Sequence, residues 1–301
     1  MLNFCGKSAV ITGGASGIGL AFAHRFGREG CRLLIADIES DALDRAVAVL
    51  RAAGIDAHGY VTDVAKSDSV RALSAHATSL FGNVHLLFNN AGVSITGPTW
   101  AMSEDDWRWV WSVNVWGVVN CIRSFLPAML AHGEDAHVIN TGSLASFNGN
   151  GDHAPYCSSK AAVLGLSQSL YSEMKAMMTK IGVSIVCPGM VDTRIHQSWR
   201  NRPDGDNAWS DREFADMTVM AGSEAFQARG IDPAAIAEST IDAVRDDRFY
   251  VFTGETWPGF MSATLQRTMQ GLNPMVMTWG EDRRPDALKE LPPWINVSEM
   301  V

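Results

Sequence analysis

Tyr156 and Lys160 stand four residues apart in the segment Tyr156-Cys157-Ser158-Ser159-Lys160. On a helix that spacing puts a phenol and an ammonium on one face, one turn apart. A phenol titrates near ~10 in water and is a poor base at neutral pH. A lysine held beside it favours the phenolate and brings the value toward the range useful for proton transfer. Ser143 lies 13 residues before Tyr156, just past an apolar run that ends at Thr141. Its hydroxyl can hydrogen-bond an oxygen on which charge develops. Together the three would do acid–base work on a substrate oxygen. Taken singly each has a plainer reading: a surface Tyr/Lys pair, and a serine that caps a helix or turn.

A second pattern would hold a redox partner for that oxygen. The first apolar run ends in Thr12-Gly13-Gly14-Ala15-Ser16-Gly17-Ile18-Gly19, where a helix begins. Glycines at 13, 17 and 19 permit a tight turn and close backbone approach to a pyrophosphate. The helix N-terminus offers free N–H groups and partial positive charge to the anion. The spacing is GxxxGxG, not the GxGxxG of the general dinucleotide fingerprint. The next run ends in Ala36-Asp37-Ile38-Glu39, and Asp37 lies 18 residues after Gly19. A carboxylate there meets adenosine ribose hydroxyls and repels a 2′-phosphate, and neither Ser16 nor Ile38 is basic. The reading is NAD(H) over NADP(H); the alternative for Asp37 is a solvated loop residue.

Positioning these groups takes a sheet with helices between its strands. Apolar runs at 8–12, 32–36, 57–61, 85–88, 137–141, 183–187 and 249–252 read as strands, apolar without alternation as doubly buried strands should be. Amphipathic stretches at 42–53, 69–81, 103–130 and 155–180 lie between them. Right-handed crossovers then give a parallel seven-stranded α/β sheet covered on both faces. A helix over 233–244 has Asp232 as N-cap and Pro233 in its first turn. Residues 192–231 hold no clear strand and are long for a connection, the mark of a functional lid or a disordered insertion, while 253–301 form a tail. No linker separates either, so residues 1–301 read as one domain.

The 301 residues are 47% hydrophobic and 19% charged, enough apolar matter for a large core and too few charges for a disordered chain. A net charge of −9 discourages docking on nucleic acid or anionic lipid. Five cysteines, an odd number with no CxxC pair, suggest free thiols in a reducing compartment and no zinc site. Neither a signal peptide nor an apolar run of membrane-spanning length is evident, so the expectation is a cytoplasmic protein without a metal.

Gly13-x3-Gly17-x-Gly19, Asn89-Asn90-Ala91-Gly92, Asn114, Ser143, Tyr156-x3-Lys160 and Pro188-Gly189 occur in the order and spacing of the short-chain dehydrogenase/reductase family, which the chain resembles from about residue 4 to 252. The resemblance implies a doubly wound Rossmann fold. It implies that Tyr156 is the general acid/base, that Lys160 lowers its pKa and holds the nicotinamide ribose, and that Ser143 orients the substrate oxygen. Asn114 would bind a water linking Lys160 to solvent. Ser16 and Ile18 belong to the phosphate turn, Ile38 flanks the ribose, and Asp63 with Val64 would contact adenine. Asn90, Ala91 and Gly92 would line the adenosine ribose side; Pro188, Gly189, Val191 and Thr193 would hold the nicotinamide. Two plainer roles stay open: Asn90-Ala91-Gly92 also secures the sheet, and Asn114 can stabilise a helix kink.

The lid is rich in large apolar residues: Met190, Ile195, Trp199, Trp209, Phe214, Met217, Met220 and Phe226. Ala145, Phe147 and His153 lie between Ser143 and Tyr156, where the family's substrate pocket falls. These point to a bulky hydrophobic, aromatic-leaning secondary alcohol or ketone. Trp107 and Trp111, at helical spacing, should pack inward or at an interface. The tail segment Thr278-Trp279-Gly280-Glu281-Asp282-Arg283 resembles the C-terminal end of bacterial dehydrogenases that oxidise the benzylic alcohol of lignin aryl ethers. Family members usually assemble through the helices matching 103–130 and 155–180, which implies a homodimer or homotetramer. Two rivals compete. An acyl-thioester 3-ketoreductase would need basic residues near the pocket, for which Arg194, Arg200 and Arg202 are candidates. A silent NAD(H)-binding sensor or scaffold need not keep all four of Asn114, Ser143, Tyr156 and Lys160.

Overall fold

The apolar runs become seven strands: β1 (Ser8–Thr12), β2 (Arg32–Asp37), β3 (Ala57–Val61), β4 (Leu86–Asn89), β5 (Ala136–Thr141), β6 (Ile181–Cys187) and β7 (Tyr250–Phe252). The computed structural model describes residues 3–203, 230–254 and 257–274. All seven strands pair in parallel in the order β3-β2-β1-β4-β5-β6-β7. Helices α1 (Gly17–Arg28), α2 (Ser40–Ala52), α3 (Ser67–Phe81), α4 (Glu104–Trp111), α5 (Gly117–His132), α6 (Ala154–Ala176), α7 (Pro233–Arg245) and α8 (Trp257–Met269) follow in chain order among the described residues.

Alternate residues of a strand face opposite sides of a sheet, so the apolar strands feed two cores. Ile11, Ile35, Phe88 and Val186 meet Phe22 and Phe26 of α1, Leu50 of α2 and Ile241 of α7. Their neighbours Val10, Leu34, Leu87 and Val183 meet Leu73 of α3, Phe125 of α5 and Leu170 of α6. The glycine turn and the ends of β4, β5 and β6 therefore emerge from a frame fixed on both faces.

Three details depart from the sequence expectation. β3 is an edge strand whose outer residues Gly59 and Val61 are exposed, so it alternates where a doubly buried strand would not. The helix expected over 103–130 is broken between α4 and α5 by a π-helical turn, Ser112–Trp116. The helix expected to reach 180 stops at Ala176, because Met178 turns left-handed (φ 51°) and Thr179 closes back on the Met174 carbonyl. Trp107 and Trp111 are half-buried, and the tryptophan that is buried is Trp109. The Asp232 cap of α7 is as expected: its carboxylate accepts from Ala234 N at 2.8 Å. Glu104–His132 is long and apolar enough to cross a membrane by length and composition, but α5 within it packs on the sheet. All five cysteines are unpaired thiols, four of them buried.

Candidate active site

The chain leaves β1 toward β2 and leaves β4 toward β5, so the carboxyl edge of the sheet opens a crevice between these neighbours. The glycine turn lines one wall. Gly17 has φ +51°, and a side chain there would come within 3.0 Å of the Thr193 methyl. A Cβ on Gly19 would sit 2.1 Å from the Gly13 carbonyl oxygen, so the helix can start this close to the turn only without one. Ser16 makes no side-chain capping bond to α1, and the first turn carries no acidic residue. The first N–H groups and their partial positive charge are thus left for an anion. Ile18 packs against the core behind the turn.

Asp37 ends β2. One carboxylate oxygen accepts from Ala15 N and the other from Glu39 N, each at 3.1 Å. Burial pushes its pKa up against those backbone bonds. Ile38 beside it is exposed. The Asp63 carboxylate accepts from Ala65 N at 3.0 Å and pairs with Lys66, while the Val64 carbonyl accepts from Asn120. Asn90 is a staple: Nδ2 donates to the carbonyls of Thr12 and Gly13, and Oδ1 accepts from Thr141 Oγ1. Ala91 N donates to Thr12 Oγ1. The sheet-securing reading of Asn90-Ala91 is the one these contacts show.

Ser143, Tyr156, Lys160 and Asn114 converge beyond β5. Ser143 precedes the 3₁₀ turn Leu144–Ser146, where its Oγ accepts from Ala145 N, and its side chain is near enough to the Tyr156 hydroxyl to pull the phenol's pKa down. Lys160 Nζ lies 5.7 Å from the Tyr156 ring centre and donates to the Thr141 carbonyl at 2.8 Å. Asn114 sits in the π turn. Its Nδ2 donates to Val93 O and Ser159 Oγ, and its Oδ1 accepts from Val93 N. Ser159 Oγ in turn donates to the Tyr156 carbonyl. Both Asn114 Oδ1 and Lys160 Nζ would be 3.4 Å from a Cβ on Gly92, so this glycine leaves the two polar groups room over one patch of backbone.

The electrostatics correct one expectation. Lys160 does not by itself acidify the phenol. Burial around the Tyr156 oxygen pushes its pKa up to about 12, with the Ser143 hydrogen bond pulling the other way. Burial brings the Lys160 ammonium down from 10.5 to about 8. A base whose folded pKa is depressed contributes stability above its unfolded pKa and loses it as the pH falls through the folded value. Between about 8 and 10.5 folding therefore expels a proton, and at pH 7 the buried charge destabilises the fold. Lys160→Met should accordingly melt a few degrees above the parent at pH 7 in coenzyme-free protein, with the gain reduced by the orphaned Thr141 carbonyl. The gain should vanish near pH 10.5. Equal melting temperatures at pH 7 would show that the ammonium carries no such cost.

Pro188 accepts from Leu144 N, which ties the end of β6 to the Ser143 turn. Gly189 and Met190 are half-buried, and Val191 is buried where it bridges Ile231. Ala145 is buried. Phe147 turns to Tyr250 and Phe252, its ring centre 6.4 and 5.8 Å from theirs, and packs on the core under α6. His153 Nε2 is 3.2 Å from Thr96 Oγ1 and Nδ1 is 3.0 Å from the Gly151 carbonyl, and burial lowers its pKa. Trp199 is exposed on the short 3₁₀ stretch Ile195–Asn201. Trp209, Phe214, Met217, Met220, Phe226 and the 278–283 segment lie outside the described residues.

Sequence reading missed the fastenings of this stretch. Arg200 and Asn201 both bond Glu39, at 2.9 and 3.0 Å, and Arg194 lies 4.0 Å from it. Burial acts to raise the Glu39 pKa, but its hydrogen bonds to Arg200 and Asn201 hold it below the ordinary value. Arg202 pairs with Asp106 in a buried contact. Partners some 160 residues apart leave no local signal.

The profile of the short chain dehydrogenase family matches residues 7–204. This chain is a short-chain dehydrogenase. The C alpha-dehydrogenase of Sphingobium sp. (strain NBRC 103272 / SYK-6) is 30% identical to it over 299 residues, covering 94% of this chain and 96% of that one. The 1-deoxy-11-beta-hydroxypentalenate dehydrogenase of Streptomyces exfoliatus is 33% identical over 253 residues, 82% of each chain. A crystal structure of a short-chain dehydrogenase/reductase from Burkholderia phymatum in complex with NAD superposes with a TM-score of 0.86 at 36% identity, covering 95% of this chain and all of that one. The dehydrogenase is thus an oxidoreductase of secondary alcohols with a Rossmann fold. Its family binds NAD(P), so membership alone leaves the 2′ position of the coenzyme open.

Proposed function

We propose that this dehydrogenase moves a hydride between NAD(H) and a bulky, hydrophobic, aryl-bearing secondary alcohol or ketone, with Tyr156 as general acid/base. The observation that carries the reading is the convergence of Ser143, Asn114 and the buried Lys160 ammonium around Tyr156, with Lys160 one helical turn from the phenol on α6. The crevice suits a dinucleotide: the uncapped helix N-terminus would receive a pyrophosphate, and the Asp37 carboxylate keeps lone pairs that would accept from ribose hydroxyls. Arg194 and Arg200, which could favour a 2′-phosphate, are engaged by Glu39.

When bound, NAD+ accepts the hydride and brings positive charge to the site. A cation is what the phenol needs, since the protein alone holds it near 12 and directs Lys160 to Thr141. Tyr156 takes the alcohol proton, Ser143 holds the oxygen as its charge changes, and Lys160 with Asn114 steadies the phenolate side. Tyr156 and Ser143 sit on a rigid frame, which supplies the proximity part of the rate.

The aryl preference rests on the apolar lid and on the C alpha-dehydrogenase and pentalenate relatives. The thioester rival loses its basic patch, because Arg194, Arg200 and Arg202 all pair with carboxylates. The scaffold rival leaves the convergence of four acid–base residues without a purpose. We also propose one domain assembling as a homodimer or homotetramer through α5 and α6, which line a depression with Val119, Ile122, Leu166 and Leu170 beside Arg123 and Glu173. The buried thiols fit a cytoplasmic setting.

A panel of secondary alcohols with both coenzymes, followed by reduced-nicotinamide fluorescence, tests the reading. Aryl carbinols with NAD should give the highest kcat/KM, exceeding NADP at least about tenfold. Polyols as best substrates, or NADP as better coenzyme, would overturn it.

A further inference from the structure

Residues 190–202 cross the carboxyl edge of the sheet as a strap. They leave β6 at Pro188, pass the glycine turn where the Thr193 methyl abuts Gly17, and reach the β2–α2 junction. Arg200 there donates through Nε to Glu39 Oε1 at 2.9 Å, and its Nη1 donates to the carbonyls of Arg194 and Gln197 at 3.1 and 2.9 Å. One guanidinium therefore both shapes the strap and fastens it. Asn201 Nδ2 adds a bond to the same Glu39 oxygen at 3.0 Å. In mid-course Ser198 Oγ accepts from Ser94 N at 3.1 Å, beyond β4. At the far end Arg202 pairs with Asp106 of α4.

The strap thus touches both walls of the crevice, β1–β2 on one side and the loop after β4 on the other. Its ties differ in kind. The Arg202–Asp106 side chains are 4% and 6% exposed, so parting them would strand charges away from water. The Arg200 and Glu39 side chains are 24% and 26% exposed, and water can replace either partner as it leaves. The first contact is suited to a fixed root, the second to a joint that opens.

We propose that Arg200 and Glu39 are coenzyme-retaining residues: their ion pair closes the strap over the dinucleotide and sets how long it stays. Glu39 also donates its backbone N–H to Asp37, so the fastening and the ribose carboxylate share one short stretch of backbone. The inference rests on the coenzyme reading above. It adds that a surface charge pair some distance from the reacting carbon governs coenzyme exchange.

The test is stopped-flow displacement of NADH, read by nicotinamide fluorescence, on the full-length protein. Glu39→Gln leaves the internal bonds of Arg200 in place and is the cleaner variant; Arg200→Gln and Arg200→Lys complete the set. Both glutamine variants should release NADH roughly threefold to tenfold faster, with Arg200→Lys between them and the parent. Release from the parent should quicken as salt rises from about 50 to about 500 mM, while Glu39→Gln should have lost most of that dependence. A purely structural role would not abolish a salt slope. Release from Glu39→Gln at the parent's rate and with its salt slope overturns the latch and leaves the coenzyme reading standing. Failure of the parent itself to bind NADH removes that reading and the latch with it.

Discussion

Tyr156→Phe should lower kcat for alcohol oxidation by about 10²- to 10⁴-fold, the range a positioned general base contributes. The substitution deletes one oxygen and keeps the ring, so the half-buried site stays filled and α6 keeps its packing. What disappears is the hydroxyl proposed as proton acceptor, which faces Ser143. Lys160 loses nothing, because its ammonium bonds the Thr141 carbonyl, not the phenol. NADH affinity, measured by fluorescence titration, should therefore change little. A variant with more than a tenth of the parent's kcat would show that another group takes the proton.

Gly19→Ala should abolish measurable coenzyme binding. Its Cβ would lie 2.1 Å from the Gly13 carbonyl oxygen and 2.6 Å from Asn90 Nδ2. Neither neighbour can yield cheaply: the first is backbone, and the second is the staple that holds Thr12 and Gly13. The turn must open, at a cost of about 1 to 3 kcal/mol in fold stability. The larger effect falls on the N–H groups that are proposed to meet the pyrophosphate, which lose their common aim. Added NADH should raise the melting temperature of the parent, as any ligand of the native state does, and leave the variant's unchanged. An equal rise in both would mean that the turn does not hold the coenzyme.

Local periodicity carried much of this architecture into view. Tyr156 and Lys160 were readable as a pair because one helical turn fixes their relation whatever surrounds them. The strands at 8–12 and 57–61 stand where their apolar runs end, yet the alternation of β3 depends on its place at the sheet edge, which no local pattern encodes. Asn114 was found by its spacing, but the π turn that presents it was not, since Ser112-Val113-Asn114-Val115-Trp116 reads as ordinary helix. The phenol's pKa went the other way from the sequence expectation: adjacency to lysine was visible, the burial of both groups was not. Phe147 looked like a pocket residue from its position, and its neighbours Tyr250 and Phe252 come from the far end of the chain.

Val191 and Ile231 meet as a parallel bridge, with Asp192 N bonded to the Ile231 carbonyl and Ile231 N to that of Met190. Residues 192–230 thus depart from this bridge and return to it, and the described part as far as Arg202 is also fastened to Glu39, Ser94 and Asp106. Closing a loop costs entropy that grows only slowly with its length, so insertions between its two ends should spare the strands. On the substrate reading proposed above, changes confined to this excursion would alter which alcohol is taken while the sheet is inherited unchanged.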